Sequence, residues 1–600
     1  MKNRTHPFSI ENTIIAVGLV LVVLAYVLSA FSLFQVEVLR GIGLAIGVYF
    51  FIQLVLHHHK ILHTTALRIF AVFALIAFIQ GSFSVPTTTD AHNYHIPRAI
   101  YWLQNHSVFQ SVIHTSHDFM GPLPSILLSL MYSLTNSDLL LFVPQWLAYV
   151  AIFFLIGRLA KLLEYSSRQI QSAQLISLSI PIATLQASSV QSDLLVAVWV
   201  LVSVIFAVRY LKEQSKIHLL LCTLSVFLGF LTKATMVIYA VIPIGLLSWQ
   251  FLSHREDRVN MLKVGMIGCF IGTLLCLPHL LQNNVLFHSY LGTSYTVDGK
   301  SIPFTVNSLS IAGSIENVYR NIFMHIPFLS FSPILDSLVD GLKPVGISID
   351  LSETSWFNSE FFHASLPIPQ EDIAPAPLHM LIIGVALVTV IRRNKKILNN
   401  QTLLFASSIC AFIVFCIVLR WQPYHIRQQM SIIFLLIVSG IGVINLSNRA
   451  LNVLCTLSVA IGLVVIVSNV SRPIISYQPL LSKVAVVIPE GFSPPESVLR
   501  GRNVANYFLS RPYWQPAYIE MTSYLHEKNI NKVGFTGREG YVYPFIKVAS
   551  KQNIVVVPAA DPTSKVKVVA GLIEDQQLEK AQYCSQTADA NKVICVYFNP

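Results

Sequence analysis

The segment Thr87-Thr88-Thr89-Asp90-Ala91-His92-Asn93-Tyr94-His95-Ile96-Pro97-Arg98 sets a carboxylate, two imidazoles, a phenol and a guanidinium directly after a membrane-length apolar run. A carboxylate in that position is suited to take a proton from a hydroxyl at the membrane surface. Asp90 precedes Tyr94 by four residues and Arg98 by eight, so in a helix the three share a face. Pro97 fits best in a first helical turn, which makes 90–96 an irregular entry and 97–104 the helix. The competing structural reading is that Asp90 caps a helix or pairs with Arg98 at the interface.

Other polar groups interrupt the apolar sequence. Lys233, in Phe230-Leu231-Thr232-Lys233-Ala234, stands between two short apolar runs, where a cation is costly unless paired. A lipid phosphate is one partner for it, and snorkelling to the interface is the structural alternative. Asp193, in Gln191-Ser192-Asp193-Leu194, opens an apolar run and reads equally as a helix N-cap. The segment Arg420-Trp421-Gln422-Pro423-Tyr424-His425-Ile426-Arg427-Gln428-Gln429 carries guanidinium groups whose forked geometry suits phosphate oxygens, with rings that also suit an interfacial belt. His57, His58, His59 and His63 resemble a metal tract but lie in a basic loop on the opposite side, and no metal is assigned to them. No Walker loop, GxGxxG, GxSxG or HExxH motif occurs in a credible context.

The elements that must hold these groups are membrane helices. Of the 600 residues, 54% are hydrophobic and 12% charged, with mean hydropathy +0.62, a composition that excludes a soluble globular domain. Apolar runs long enough to cross a bilayer occur near 12–34, 38–56, 66–84, 139–157, 170–187, 193–211, 217–232, 235–253, 261–281, 376–391, 402–420, 429–446 and 449–469, which predicts about thirteen crossings. The net charge of +11 comes from basic residues in short loops: Lys60 and Arg68; Arg158, Lys161 and Arg168; Lys212 and Lys216; Arg392, Arg393, Lys395 and Lys396. That pattern reports topology rather than a nucleic-acid partner and sets the N-terminus and these loops in the cytoplasm. The opposite set of loops then faces outward, and it holds Asp90, Asp193, Lys233, residues 282–375, Arg420 to Arg427 and everything after 470.

Residues 1–470 thus read as a membrane domain with outer loops 85–138 and 282–375, and 471–600 as a small extracytoplasmic α/β domain. Within the first loop, Pro122 to Thr135 is apolar but short, and reads as a juxtamembrane or re-entrant helix. The long 282–375 loop carries Trp356, Phe357, Phe361 and Phe362, an aromatic content that favours order. In the last domain, strands are expected at 533–535, 554–557, 566–569 and 593–597, and helices near 515–528 and 575–582. Six cysteines, Cys222, Cys269, Cys276, Cys410, Cys416 and Cys455, read as small buried hydrophobes. Cys584 and Cys595 are the candidates for a disulfide across a hairpin if their domain faces an oxidising compartment.

Taken in order along the chain, these motifs resemble the GT-C superfamily of integral-membrane glycosyltransferases, the group that contains protein O-mannosyltransferases and the aminoarabinose transferase of lipid A. Thr89-Asp90-Ala91-His92-Asn93-Tyr94-His95-Ile96-Pro97-Arg98 matches the acidic first outer loop. The less characterised bacterial branch shows stretches similar to Ser192-Asp193-Leu194, Leu231-Thr232-Lys233, Glu371-Asp372 with Pro377-Leu378-His379, and Arg420 to Arg427. The resemblance implies that Asp90 is the catalytic base and that the donor is a sugar on a polyprenyl phosphate in a bacterial inner, or plasma, membrane. Lys233, Arg427 and Arg98 are then the candidates for holding the phosphate. Tyr94, His95, Asp193, His379, Arg420, Tyr424 and His425 are candidates for contacting substrate. Two departures stand out: three crossings precede the acidic loop where the family commonly has one, and the usual acidic pair is reduced to Asp90-Ala91. The second leaves a divalent cation open, with no cofactor otherwise implied.

The reaction expected from this reading is an inverting transfer to an acceptor hydroxyl, the acceptor being an unidentified glycan, lipid or protein positioned by loop 282–375 and the C-terminal domain. A transporter or flippase of lipid-linked sugars is an alternative; it predicts polar groups on both membrane faces and inverted repeats, and neither is evident in the sequence. A glycan-binding membrane protein without catalysis is another, in which Asp90 is dispensable and the region after 470 essential.

Overall fold

The computed structural model describes residues 9–57, 64–109, 117, 119–292, 294–297, 300–306, 310–326, 341, 354–356, 370–392, 399–476, 496–509, 511–536, 541–558, 568–572, 583–586 and 593–598. His58, His59 and His63, the rings of Phe357, Phe361 and Phe362, and the helical stretch expected near 575–582 lie outside the described residues.

In lipid the backbone must satisfy its own hydrogen bonds, so the apolar runs become helices. They are α1 (Ile10–Ala30), α2 (Val36–His57), α3 (Thr65–Phe83), α4 (Ile96–Gln104), α5 (Leu123–Thr135), α6 (Val143–Leu162), α7 (Ser167–Leu178), α8 (Pro181–Gln186), α9 (Asp193–Glu213), α10 (Lys216–Thr232), α11 (Met236–Tyr239), α12 (Val241–Ser253) and α13 (Arg258–Phe287). After the hairpin of β1 (Ser294–Val297) and β2 (Lys300–Pro303) come α14 (Ile311–Phe323), α15 (Pro377–Arg392), α16 (Asn400–Val418), α17 (His425–Ile444) and α18 (Asn448–Val467). Among the described residues, nine helices are long and apolar enough to cross a membrane, taking α11 and α12 as one. Helices α2, α10 and α15 lie along three more of the thirteen expected crossings, with 22, 17 and 16 residues.

The crossing expected at 170–187 is corrected: it is two pieces, α7 and α8, of 12 and 6 residues. Pro181 is the physical reason, because it lacks the amide hydrogen that would continue α7 and sits in the first turn of α8. All six residues of α8 are buried, so protein rather than lipid covers the break. Helix α13 also exceeds the expected 261–281, and its 30 residues rise about 45 Å, well beyond a bilayer core. Helix α5 has 13 residues, rising about 20 Å, too short to cross. It starts beside Arg98, which bonds Ser125, and ends just before Asp138, which Arg502 holds while also bonding the carbonyl of Ser84 after α3. Both of its ends therefore lie at one end of the bundle.

Helices α9 and α17 are the centre of the bundle, each with 89% of its apolar window buried by protein. Their N-terminal ends carry Asp193 and Arg427, so the two most enclosed helices open at the same place. At the far end of α9, Arg209 pairs with fully buried Glu11 of α1, which Arg158 of α6 also approaches at 3.4 Å. A buried polar group thus lies at the end of the bundle opposite Asp193, where the sequence showed none, because Glu11 stands at the start of an otherwise apolar run.

The C-terminal region holds α19 (Trp514–Glu527), α20 (Val542–Lys551) and a five-stranded sheet of β3 (Lys532–Thr536), β4 (Val555–Pro558), β5 (Val568–Leu572), β6 (Tyr583–Gln586) and β7 (Val593–Phe598). The strand order is β4-β3-β5-β7-β6, with β3 parallel to β4 and β5 and the remaining pairs antiparallel. Strand β6 and helix α20 had no counterpart in the sequence reading. Cys584 lies opposite Cys595 in the β6–β7 register, and the two form a disulfide. The domain is seated on the bundle: Gln104 of α4 donates to the Val556 carbonyl at 3.1 Å, and Tyr507 bonds Asp138. Residues just past the expected boundary at 470 belong to this packed region, because Arg472 is 1% exposed and turns back toward Thr87.

Candidate functional site

Asp90 stands where α3 has ended and a π-helical turn, Ala91–His95, leads into α4. Pro97 occupies the first turn of α4, which accounts for the irregular entry before it. A π-turn adds a residue to the helical period and is frequent at functional sites, because it re-aims the side chains that flank it. Here it delivers Asp90 to Arg427. Arg427 Nη1 is 2.6 Å from Asp90 Oδ2 and 3.0 Å from Asp372 Oδ1, so one guanidinium nitrogen serves two carboxylates. Gln191 Nε2 donates to the same Asp372 oxygen at 3.1 Å. The Arg427 Nε is buried and has no hydrogen-bond partner among the described residues.

Burial by itself raises the Asp90 carboxyl, but the positive charges facing it, Arg427 foremost, outweigh that and hold the group well below the usual carboxylate range. Asp372 goes the other way. Burial pushes it up to about 7, with Arg427 opposing and Asp90, Glu371 and Asp193 reinforcing the rise. Two carboxylates sharing one cation cannot both ionise as freely as either alone, which is why their ranges separate.

Lys233 terminates α10 in an extended conformation and forms an ion pair with Asp193 at the start of α9. Asp193 is the first residue of α9 and not its N-cap, which is Ser192; its second oxygen, Oδ2, has no partner among the described residues. Arg98, expected near the phosphate, instead donates from Nε to Ser125 Oγ at 2.9 Å, from Nη1 to the Met120 carbonyl at 2.7 Å and from Nη2 to the Gly121 carbonyl at 2.9 Å. Its hydrogen bonds fix the 120–125 turn. A Cβ on Gly121 would lie 2.2 Å from the Leu231 carbonyl oxygen, so only glycine lets this turn press against the end of α10 beside Lys233.

A second ion pair lies next to the first. Arg472 Nη2 is 3.2 Å from Glu371 Oε1, and Thr87 joins them, donating to Glu371 at 2.8 Å and accepting from Arg472 at 2.7 Å. Gln186 of α8 donates to the Glu371 carbonyl at 2.8 Å. The broken helix α8 thus holds the 371–372 turn in place. On the other side of the π-turn, His92 Nε2 pairs with the Pro86 carbonyl at 2.8 Å, and its ring packs 5.0 Å from Tyr541 of the C-terminal domain.

The remaining expected residues divide into two groups. His95 is 1% exposed, lies with its ring 4.3 Å from that of Tyr94, and neither of its ring nitrogens has a hydrogen-bond partner among the described residues. Burial pushes it down to about 3, with Arg98 adding to the fall, so the ring is neutral. Tyr94 stacks on His117 at 5.3 Å, and Tyr424 lies beside Arg427, whose guanidinium is 6.0 Å from the ring centre. His379, Arg420 and His425 are engaged elsewhere. His379 Nε2 pairs with the Ile176 carbonyl at 2.9 Å, Arg420 Nε donates to the Thr305 carbonyl at 3.2 Å, and His425 Nδ1 pairs with Asn321 at 3.1 Å.

Asp372, Glu371, Gln191, Thr87 and Arg472 were not singled out as site residues by sequence reasoning. The available signal was Glu371-Asp372 standing immediately before an apolar run, a costly position for two acids unless cations meet them. Among the described residues, no group of three or more His, Cys, Asp or Glu is arranged to hold a metal ion. Asp90 and Asp372 converge on a guanidinium instead, so their arrangement does not fit the cation that the sequence left open.

No protein-family model matches the chain, and neither does any curated protein sequence. Among solved structures, it is similar to a crystal structure of ArnT from Cupriavidus metallidurans bound to undecaprenyl phosphate, at 12% identity and a TM-score of 0.48, over 88% of this chain and 97% of that one. The apo form of the same protein is similar over the same shares, with a TM-score of 0.42 and 12% identity.

Proposed function

We propose that the chain is an inverting glycosyltransferase that moves a sugar from a polyprenyl-phosphate donor to an acceptor hydroxyl on the extracytoplasmic face of a bacterial inner membrane. The observation that carries this reading is Arg427, which grips Asp90 through Nη1 while its buried Nε has no partner among the described residues. A phosphate that reaches this buried nitrogen draws on the same charge that holds Asp90 as a carboxylate. As the guanidinium turns to the phosphate, Asp90 loses its stabilising partner and becomes a stronger base at the moment an acceptor hydroxyl needs one. Lys233, at the end of α10, adds a second positive charge for the departing phosphate. Two helix N-termini, those of α9 and α17, also present their positive ends there.

The ring nitrogens of His95, unpartnered among the described residues, supply a neutral donor and acceptor for sugar hydroxyls. The lipid-facing helices provide an apolar surface for the isoprenoid tail, and the disulfide Cys584–Cys595 fits an oxidising, extracytoplasmic location for the C-terminal domain, with the N-terminus cytoplasmic. The acceptor is a hydroxyl-bearing glycan, lipid or protein that reaches the site beside this domain.

The test is mass spectrometry of polyprenyl-phosphate sugars in membranes of cells lacking the chain, complemented with wild type or Asp90→Asn at equal expression. A lipid-linked sugar should accumulate without the chain, disappear with wild type and persist with Asp90→Asn. An unchanged pool in all three, with no glycan lost, would sink the transferase reading.

A further inference from the structure

The four acids at the site are unequally served. Among the described residues, Glu371 has Arg472 and Asp193 has Lys233, whereas Asp90 and Asp372 converge on Nη1 of Arg427. One cation between two carboxylates leaves one negative charge uncompensated, and a proton shared by the pair is the cheapest way to remove it. Asp90 lies nearer the guanidinium, at 2.6 Å against 3.0 Å, so the proton belongs on Asp372. A phosphate anion arriving at Arg427 strengthens that demand, because it adds negative charge to the same cation.

We propose, building on the transferase reading, that Asp372 is the general acid of the reaction, protonating the departing phosphate while Asp90 deprotonates the acceptor. The acceptor O–H bond breaks and its proton goes to Asp90. The acceptor oxygen forms a bond to the anomeric carbon as the bond from that carbon to the phosphate oxygen breaks. The electron pair of the broken bond stays on the phosphate oxygen, and the phosphate takes the proton of Asp372. The products are the glycoside and a polyprenyl hydrogen phosphate. Asp90 is left protonated and Asp372 ionised, and transfer of one proton from Asp90 to Asp372 through water restores the starting state. Two carboxyl groups, one basic and one acidic, divide the proton chemistry as the separated pair in other sugar-transferring sites does.

The groups that face Asp372 are Arg427 of α17, Tyr424 just before it, Asp90, Asp193 of α9 and Glu371 of its own turn, with the neutral amide of Gln191. Burial raises it to about 7, so that about half of the acid still holds its proton at neutrality and nearly all of it a unit or more below. The sign follows: the acid is competent below that value, so transfer falls as pH rises through it.

The experiment is sugar transfer from a polyprenyl-phosphate donor by the full chain in lipid nanodiscs, measured from pH 5 to 9 for wild type, Asp372→Asn and Asp372→Glu. Asparagine can still accept from Arg427 and Gln191 but holds no proton to give. Asp372→Asn should lower kcat by about 10²-fold below neutrality with little change in KM, and should lose the alkaline fall; Asp372→Glu should keep that fall. Wild-type rates in Asp372→Asn, or a lowered rate that retains the wild-type alkaline fall, would overturn the assignment and leave Asp372 as an orienting group for Arg427. If wild type transfers sugar and Asp90→Asn does not, those two results concern Asp372 alone. A wild-type chain that transfers nothing from any such donor overturns the transferase reading, and this inference with it.

Discussion

Glu371 and Asp372 are neighbours in sequence, both are acids, and both meet an arginine, yet the structure treats them differently. The Glu371–Arg472 pair is sealed, with side chains 3% and 1% exposed. Asp372 and Arg427 are 22% and 11% exposed, and Asp90 on the same arginine is 19% exposed. Glu371 has a cation to itself, an added hydroxyl from Thr87 and a carboxyl held below its usual range, chiefly because Arg472 overcomes its burial. Asp372 shares its cation and is pushed upward. One turn thus holds two acids in different settings: the one-to-one, enclosed ion pair holds geometry, while the shared, partly exposed one suits the proton exchange and anion binding proposed for it.

That contrast can be broken by substitution, and the effects should descend in order. Asp90→Asn removes the proposed base and should lower transfer by about 10²–10⁴-fold with the protein still folded, read as product formed per folded molecule. On the proposed reaction, Arg427→Ala should lower kcat by about 10²–10³-fold, and Arg427→Lys should recover little, since one ammonium does not reproduce a planar group that holds two carboxylates on Nη1 and offers its other nitrogens to a phosphate. The same measurement will show whether the open pair is catalytic. At the sealed pair the loss should appear as stability instead. Glu371→Gln or Arg472→Ala leaves a buried partner unmatched and should cost about 3–5 kcal/mol, seen as a lower Tm, while the fraction that folds transfers sugar at a rate much nearer wild type. Equal losses of turnover per folded molecule at both pairs would erase the distinction.

The smallest effect concerns the support of the π-turn by the C-terminal domain. Burial pushes His92 down to about 4 against an ordinary value of 6.5. The folded state therefore prefers the neutral ring, and its contribution to stability is present above about 6.5 and lost as pH falls toward 4. Thermal unfolding followed from pH 7 to 4 should show a decline on the order of 3 kcal/mol, reduced in His92→Gln. An identical decline in that variant would remove His92 from the explanation.

Much of the helical architecture was legible because hydrophobic run length reports directly on crossing, and twelve of the thirteen expected crossings coincide with helices, α11 and α12 counting together. The break at Pro181 was readable in principle, but the flanking residues are apolar and masked it. Glu11 was missed for a similar reason, since one acid at the start of an otherwise apolar run changes the average little. Asp90, Lys233 and Arg427 were visible as expensive charges next to lipid. Arg98 looked equivalent to them, yet its nitrogens donate to Ser125, Met120 and Gly121. Sequence position reports that a charge needs a partner; it does not name the partner.

By itself the sequence determined that this chain is a bundle of apolar helices with basic loops on one side, a polar cluster on the other and an α/β region at its end. Those features follow from composition and period, which are local sums along the chain. Only the tertiary structure decided that residues 90, 372 and 427 meet on a single nitrogen, that residues 87, 371 and 472 form the closed pair beside them, and that the C-terminal domain rests on the turn carrying Asp90. The reason is physical: which acid receives an unshared cation depends on packing between helices hundreds of residues apart, and no local pattern encodes that choice.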